Sequence, residues 1–277
     1  MRKKLIGLCS ADIIHTKDKS YQDNLSKILG FKKLVQNTVG TIMEKYAAVE
    51  YSGNGISINA VSSPKLNSAL NDAKKTLDIK DTISFSTDWH YAINSFTVGE
   101  QKKRIVLLTG TVDLLNDIEL QFILGHELGH IKCNHITYQM LAESLFIPIQ
   151  DSVFKFAISA VRIPLLNWYR ISDFTADRAG LLCCQDITVA LQTMIKMAGL
   201  PKSYYSQIDI KTFIEQARSF QKNTDIVDKA IKYLSVNSAF HPWLILRAAE
   251  LLEWYESGQY SKIINLYGKD KEFSLRY

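Results

Sequence analysis

Apolar residues recur at helical intervals from Tyr21 to about Val49, with Gly30 and Gly40 as weak points in the run. Ser52-Gly53-Asn54-Gly55 reads as a turn, after which Ile56, Ile58 and Ala60 alternate like a short strand. Ser63-Pro64 opens a predicted helix to about Leu77, with proline at an early helical position where its missing N–H is not needed. A β-like block follows over 83–86, 91–98 and 104–109, with Gly99-Glu100 as a turn. Beyond it the period becomes helical almost to the end. Asp117 is predicted to cap a helix running past His130, and further helices are predicted over about 151–168, 172–182, 187–198, 210–221 and 242–255. Gly199-Leu200-Pro201 and Gly258 read as helix stops. The pattern is an α+β fold, mostly α, with a small sheet beside a helical body.

The length of 277 residues allows one large domain or two small ones, and no linker or repeat divides the chain. With 47% apolar and 22% charged residues it is too apolar and too weakly charged for general disorder. The longest charge-free runs, 51–64 and 233–246, have 14 residues each, whereas a membrane-spanning helix needs roughly 20. The start, Met1-Arg-Lys-Lys-Leu-Ile-Gly-Leu-Cys-Ser-Ala-Asp12, imitates a secretory signal, but its apolar part is short and ends at Asp12. A cytoplasmic location is expected, with peripheral membrane contact left open. The apolar positions between Phe154 and Trp168 could dock on a bilayer, but Lys155 and Arg162 interrupt them and a core helix is the expectation.

The net charge of +5 is spread out, so nucleic acid is not an expected partner, and no Gly-rich phosphate loop supports nucleotide binding. Cys9, Cys133, Cys183 and Cys184 have no metal-ligand spacing and are expected to be free, mostly buried thiols.

The chemistry concentrates in residues 126–130, His-Glu-Leu-Gly-His, which match H-E-x-x-H. Residues i and i+4 share a helix face, so the imidazoles of His126 and His130 can reach one cation. Glu127 lies one step round, where it can hydrogen-bond a metal-bound water. Six His and eleven Glu among 277 residues make a chance match improbable. The bland alternative is a helix with two incidental histidines. His135, five residues beyond His130, is expected on another helix face, at the surface or supporting a ligand. His15 and His90 have no motif around them.

Two imidazoles leave a catalytic metal short of a third protein ligand. Asp173 and Asp177 lie four apart on one face of a predicted helix. One of these carboxylates can bind the metal while the other orients an imidazole through its free N–H. Solvated acids beside Arg170 and Arg178 are the alternative.

Three segments together resemble the HtpX and type I CAAX prenyl protease family of zinc metallopeptidases, particularly small bacterial-like members without membrane spans. They are 109–130, ending His-Glu-Leu-Gly-His; Arg170-Ile-Ser-Asp-Phe-Thr-Ala-Asp-Arg-Ala-Gly180; and His241-Pro242 followed by Arg247. Asn94-Ser95-Phe96 is similar to the strand bordering the cleft in that family. The resemblance covers about 85–257. It implies a zincin-like, gluzincin-type core over 81–277 and leaves 1–80 as an N-terminal helical accessory region.

It further implies one zinc ion held by His126, His130 and position 173, with Glu127 as catalytic base and Asp177 supporting an imidazole. The family usually has Glu where this chain has Asp173, so the helix carrying it must approach the metal more closely. His241 is expected either to donate to the oxyanion of the tetrahedral intermediate or to cap a helix. Arg247 is expected to form a buried ion pair with an acid such as Asp177. The expected activity is zinc-dependent hydrolysis of polypeptides by a Glu-activated, zinc-bound water, with a segment of 91–98 or 104–109 offering an edge to extended substrate. The alternatives are a metal-stabilised binding or regulatory protein with negligible turnover, and a membrane-peripheral quality-control protease.

Overall fold

The computed structural model describes residues 2–28, 30, 31, 35, 43–144, 152–222 and 243–269. A two-residue strand β1 (Lys4–Leu5) precedes helices α1 (Ser10–Ile13), α2 (Thr16–Ser26) and α3 (Glu44–Gly53). Strand β2 (Ile56–Ser57) and helix α4 (Pro64–Thr76) lead to β3 (Ser84–Asp88), β4 (Ser95–Val98) and β5 (Arg104–Leu108). Helices α5 (Thr109–Leu114), α6 (Asp117–Lys132), α7 (Ile136–Ser144), α8 (Ser152–Cys184) and α9 (Ile187–Met197) build the body. Helices α10 (Ile210–Lys222), α11 (Leu244–Glu256) and α12 (Gln259–Tyr267) follow, and strand β6 (Gly268–Lys269) returns to pair with β1. The fold is α+β and mostly helical, as the periodicity predicts.

The main sheet has strand order β2-β3-β5-β4. β3 and β5 run parallel, whereas β2 and β4 are antiparallel edges. This settles which expected segment presents an edge. β5 lies between β3 and β4, with Ile105, Val106 and Leu107 fully buried, so 104–109 cannot accept an added strand. Among the described residues β4 pairs on one side only, through Ser95 opposite Leu107 and Thr97 opposite Ile105. It is also shorter than the predicted 91–98. The Asn94 backbone N–H donates to the Thr111 hydroxyl and its carbonyl receives that hydroxyl, which ties the chain down before the ladder begins.

Helix α6 carries the H-E-x-x-H run. Its cap is Asn116 rather than Asp117. The Asn116 side chain accepts from the backbone N–H groups of Ile118 and Glu119, and the Glu119 carboxylate accepts in return from the Asn116 N–H. This reciprocal box satisfies donors that a helix start otherwise leaves open. The predicted helices over 151–168 and 172–182 are one element, α8. Pro164 lies inside it, and the Ser172 hydroxyl turns back to the Tyr169 carbonyl.

The seam between α6 and α8 positions the site. A Cβ at Gly129 would lie 2.7 Å from the Ala179 Cβ and 3.0 Å from the Ala176 Cα, and one at Gly125 would collide with Cys183. Small residues on both helices therefore let the two backbones touch. That closeness is what the shorter Asp173 side chain needs to reach the histidines. The N-terminal elements pack on the same body: Leu5, Ile13 and Leu25 share one apolar core with Leu124, Leu165 and Leu181. Val161, Leu165, Leu166 and Trp168 are buried, as a core helix requires, whereas Ile163 is exposed; the side chains of 154–160 lie outside the described residues. Among the described residues no helix is long and apolar enough to cross a membrane.

Candidate metal centre

His126 and His130 lie one turn apart on the buried face of α6, and their Nε2 atoms are 3.1 Å apart. Asp173, on α8, places Oδ1 at 3.6 Å from His130 Nε2 and 3.9 Å from His126 Nε2. All three side chains are buried, and together they form a group able to hold a metal ion. Donors about 2.0–2.2 Å from a tetrahedral zinc stand roughly 3.3–3.6 Å from one another, close to this triangle.

The protonation pattern around the triangle also fits a cation. His126 Nδ1 lies 2.9 Å from Asp177 Oδ1, and a carboxylate only accepts, so this nitrogen carries the hydrogen and Nε2 keeps its lone pair. Burial, with His126 and His135 close by, holds the His130 imidazole well below its usual range and therefore neutral. The two Nε2 atoms and the Asp173 carboxylate converge on one point, with Asp173 Oδ1 fully buried beside them, which suits a cation between them. The residues present thus fit a divalent metal.

Arg247, on α11, anchors the support. Its Nε and Nη2 donate to the two oxygens of Asp177 at 2.8 and 2.6 Å, and its Nη1 lies 3.7 Å from Asp173 Oδ2. Burial alone would raise the Asp177 carboxyl, but the adjacent guanidinium and its hydrogen bonds hold it below the ordinary carboxylate range. One arginine thus compensates two buried acids, and the expected pairing of Arg247 with Asp177 is present.

Glu127 faces the sheet edge. The Ser95 hydroxyl donates to Oε1 and the Thr97 hydroxyl to Oε2, both at 2.6 Å. Residues i and i+2 of β4 share one face, so two hydroxyls meet one carboxylate. The cleft above them has a volume of roughly 600 Å³ and is lined further by Tyr51, Phe96, Glu143, Tyr169 and Trp243. His241 lies outside the described residues.

Of the two readings of His135, support of a ligand holds and surface exposure does not: the residue is fully buried, and its Nδ1 lies 2.9 Å from His130 Nδ1. It sits not on α6 but past a turn at Asn134, whose φ of 56° ends the helix and swings the ring back. Its other nitrogen lies 3.0 Å from Asp18 on α2. Asp18 also accepts from Trp168 Nε1, Thr175 Oγ1 and Gln22 Nε2. Burial would raise its carboxyl, but His135 and these hydrogen bonds pull it below the ordinary range. Nothing in the spacing of 18, 135, 168 and 175 announces this cluster. The Ser95–Thr97 pair left one faint signal, alternate hydroxyls on a strand expected to border the cleft. Cys133, Cys183 and Cys184 are buried free thiols and Cys9 is exposed; burial pushes the three buried thiols upward, away from the thiolate form that binds metal.

The model of Peptidase family M48 matches residues 62–255. The chain belongs to peptidase family M48. It is 30% identical to plastoglobule-localized metallopeptidase 48, chloroplastic, of Arabidopsis thaliana over 258 residues, covering 91% of this chain and 75% of that protein. It is 31% identical to the uncharacterized metalloprotease YhfN of Bacillus subtilis (strain 168) over 103 residues, 32% of this chain and 24% of that one. The metalloprotease YcaL of Escherichia coli (strain K12) is 36% identical over 45 residues, 16% of this chain and 18% of that one. No solved structure matches. Membership makes this M48 chain a metalloprotease, a peptide-cleaving enzyme that depends on a divalent metal, as its three motifs imply. The M48 match starts earlier than the motif resemblance at 85. Helix α4 accounts for the difference, because it packs on α6, with the Gln121 amide donating to the Ala69 carbonyl, yet carries no motif residue.

Proposed function

We propose that the chain is a zinc metalloendopeptidase that cleaves extended segments of polypeptide. The observation that carries the reading is the buried triangle of His126, His130 and Asp173 with Glu127 beside it, at the foot of the open edge of β4. Zinc held by the two imidazoles and the carboxylate would supply a Lewis acid that polarises the scissile carbonyl and brings the pKa of water towards neutrality. Glu127 takes the proton of the attacking water and passes it to the leaving amine nitrogen. Ser95 and Thr97 fix the carboxylate so that this transfer needs no side-chain search. The outward backbone groups of β4 pair with substrate backbone, the Ser95 N–H exchanging its bond to the Asn94 side chain for one to substrate, which favours extended, locally unfolded chains over folded ones. His241 would serve as the oxyanion donor, and Asp177 with Arg247 holds His126 in the metal-binding tautomer. The motif residues of the catalytic unit all lie within 81–277, and 1–80 is an accessory region that packs on the same core. Its workplace is the cytoplasm, with contact to a lipid surface as the variation suggested by the plastoglobule-localized relative.

Incubating the purified full chain with reduced, unfolded casein tests the reading. Cleavage within the chain is expected, abolished by 1,10-phenanthroline and restored by added zinc. A zinc-loaded chain that leaves casein intact would instead favour a metal-stabilised binding or regulatory protein, and chelator-insensitive cleavage would refute the metal mechanism.

A further inference from the structure

We propose that Asp18 and His135 are positioning residues of the metal centre, forming a relay from α2 that sets the tautomer of His130. This inference rests on the metal reading given above. Asp18 and His135 are both fully buried, in a chain where the relay spans 117 residues of sequence before closing on a candidate ligand.

The hydrogens can be assigned in order. Asp18, ionised, can only accept. His135 Nε2 lies 3.0 Å from Asp18 Oδ2, at an angle outside a regular hydrogen bond; a lone pair there would face the carboxylate, so this nitrogen carries the ring hydrogen. A ring whose hydrogen sits on Nε2 presents a lone pair at Nδ1. That lone pair faces His130 Nδ1 at 2.9 Å, so His130 must carry its hydrogen there. His130 Nε2 is consequently left with its lone pair, aimed at His126 Nε2 and Asp173. The Gln139 amide nitrogen is 3.1 Å from the same His130 Nδ1 and, as a donor, would favour the opposite tautomer. Asp18 decides between them: it fixes His135, whereas the Gln139 amide can turn to present its oxygen.

The arrangement parallels Asp177 and His126 but is one imidazole longer. Asp177 reaches its histidine directly from α8, whereas Asp18 reaches His130 through His135. Trp168 and Thr175 of α8 hold Asp18 in place, at 2.8 and 2.5 Å. The N-terminal segment is thereby part of the metal centre, and the metal couples it to the protease body.

Asp18→Asn makes the relay testable. Trp168 N–H can only donate, so the amide oxygen must stay on its side and the new NH2 group faces Thr175 and His135. The Thr175 hydroxyl can turn to accept. His135 must then present a lone pair at Nε2 and a hydrogen at Nδ1, which collides with the His130 hydrogen and drives it onto Nε2, the metal-binding atom. Zinc affinity of the full chain, read by competition with a fluorescent chelator at neutral pH, is expected to fall about 10–100-fold. Gln22→Ala, which removes a donor to Asp18 away from His135, should leave it unchanged.

Ring nitrogen chemical shifts of the zinc-loaded wild-type chain supply a readout that needs no variant. Hydrogen on Nε2 of His135 and on Nδ1 of His130 is the expected result. Hydrogen on Nδ1 of His135, or wild-type zinc affinity in a folded Asp18→Asn, would overturn the relay. If Asp18→Asn does not fold, the tautomers alone decide. A wild-type chain that binds no zinc defeats the metal reading itself, a failure distinct from a chain that binds zinc with the wrong tautomer.

Discussion

Glu127→Gln is expected to lower kcat for polypeptide cleavage by about 10²–10⁴-fold, the usual contribution of a positioned general base. Zinc content and the folded structure should stay as in the wild type. The reason lies in how Glu127 is held. Gln has the same shape, and the Ser95 and Thr97 hydroxyls that now donate to the two carboxylate oxygens can each accept as well as donate. One hydroxyl turns to receive the new NH2 group and the other keeps its bond to the remaining oxygen. The side chain therefore stays in place and loses only its ability to take up a proton. Neither candidate histidine depends on Glu127 for its tautomer, so the metal should remain. Steady-state kinetics on an internally quenched peptide, with zinc measured on the same sample, checks both halves. Cleavage near the wild-type rate would remove Glu127 from the mechanism.

Arg247→Met is expected to cost the metal-free protein about 3–5 kcal/mol of stability, the range for breaking a buried ion pair by removing one partner. Met fills much of the volume but leaves Asp177 without the two hydrogen bonds it now accepts and Asp173 without its nearby cation. Two acids buried to 1% exposure would then lie on either side of the His126 ring without the guanidinium that bridges them. Zinc should narrow the deficit, because the bound cation replaces the missing charge beside Asp173. Urea denaturation with and without zinc reads this directly. A variant as stable as the wild type in the absence of metal would show that the guanidinium is not what holds the two carboxylates.

The parts of the site legible in the sequence are those whose residues repeat at helical spacing. His126 and His130, like Asp173 and Asp177, are four apart, so a single helix face brings each pair together, and rare residue types make the coincidence conspicuous. Arg247 was legible as a partner because a buried acid demands one. The closer approach that Asp173 requires comes from the Gly125–Gly129 seam between α6 and α8, a packing effect no linear pattern displays. That His135 folds back onto His130 and meets Asp18 is illegible for a similar reason. It depends on a left-handed residue at Asn134 that folds the chain back, and on a helix more than a hundred residues upstream. The sheet shows the same limit. Alternation located the strands, but only the observed order makes β4 the open edge and buries β5 between two partners. Likewise, three residues without Gly or Pro separated two predicted helices that are continuous, because Tyr169 and Ser172 bond within the turn instead of ending it.

A crystal structure of the zinc-loaded full chain, with anomalous difference maps on either side of the zinc absorption edge, tests the central claim most directly. One peak is expected within about 2.0–2.2 Å of His126 Nε2, His130 Nε2 and a carboxylate oxygen of Asp173, with a fourth position open to the cleft beside Glu127. A zinc peak elsewhere, or one bound by the histidines with the Asp173 carboxylate out of bonding range, would contradict it.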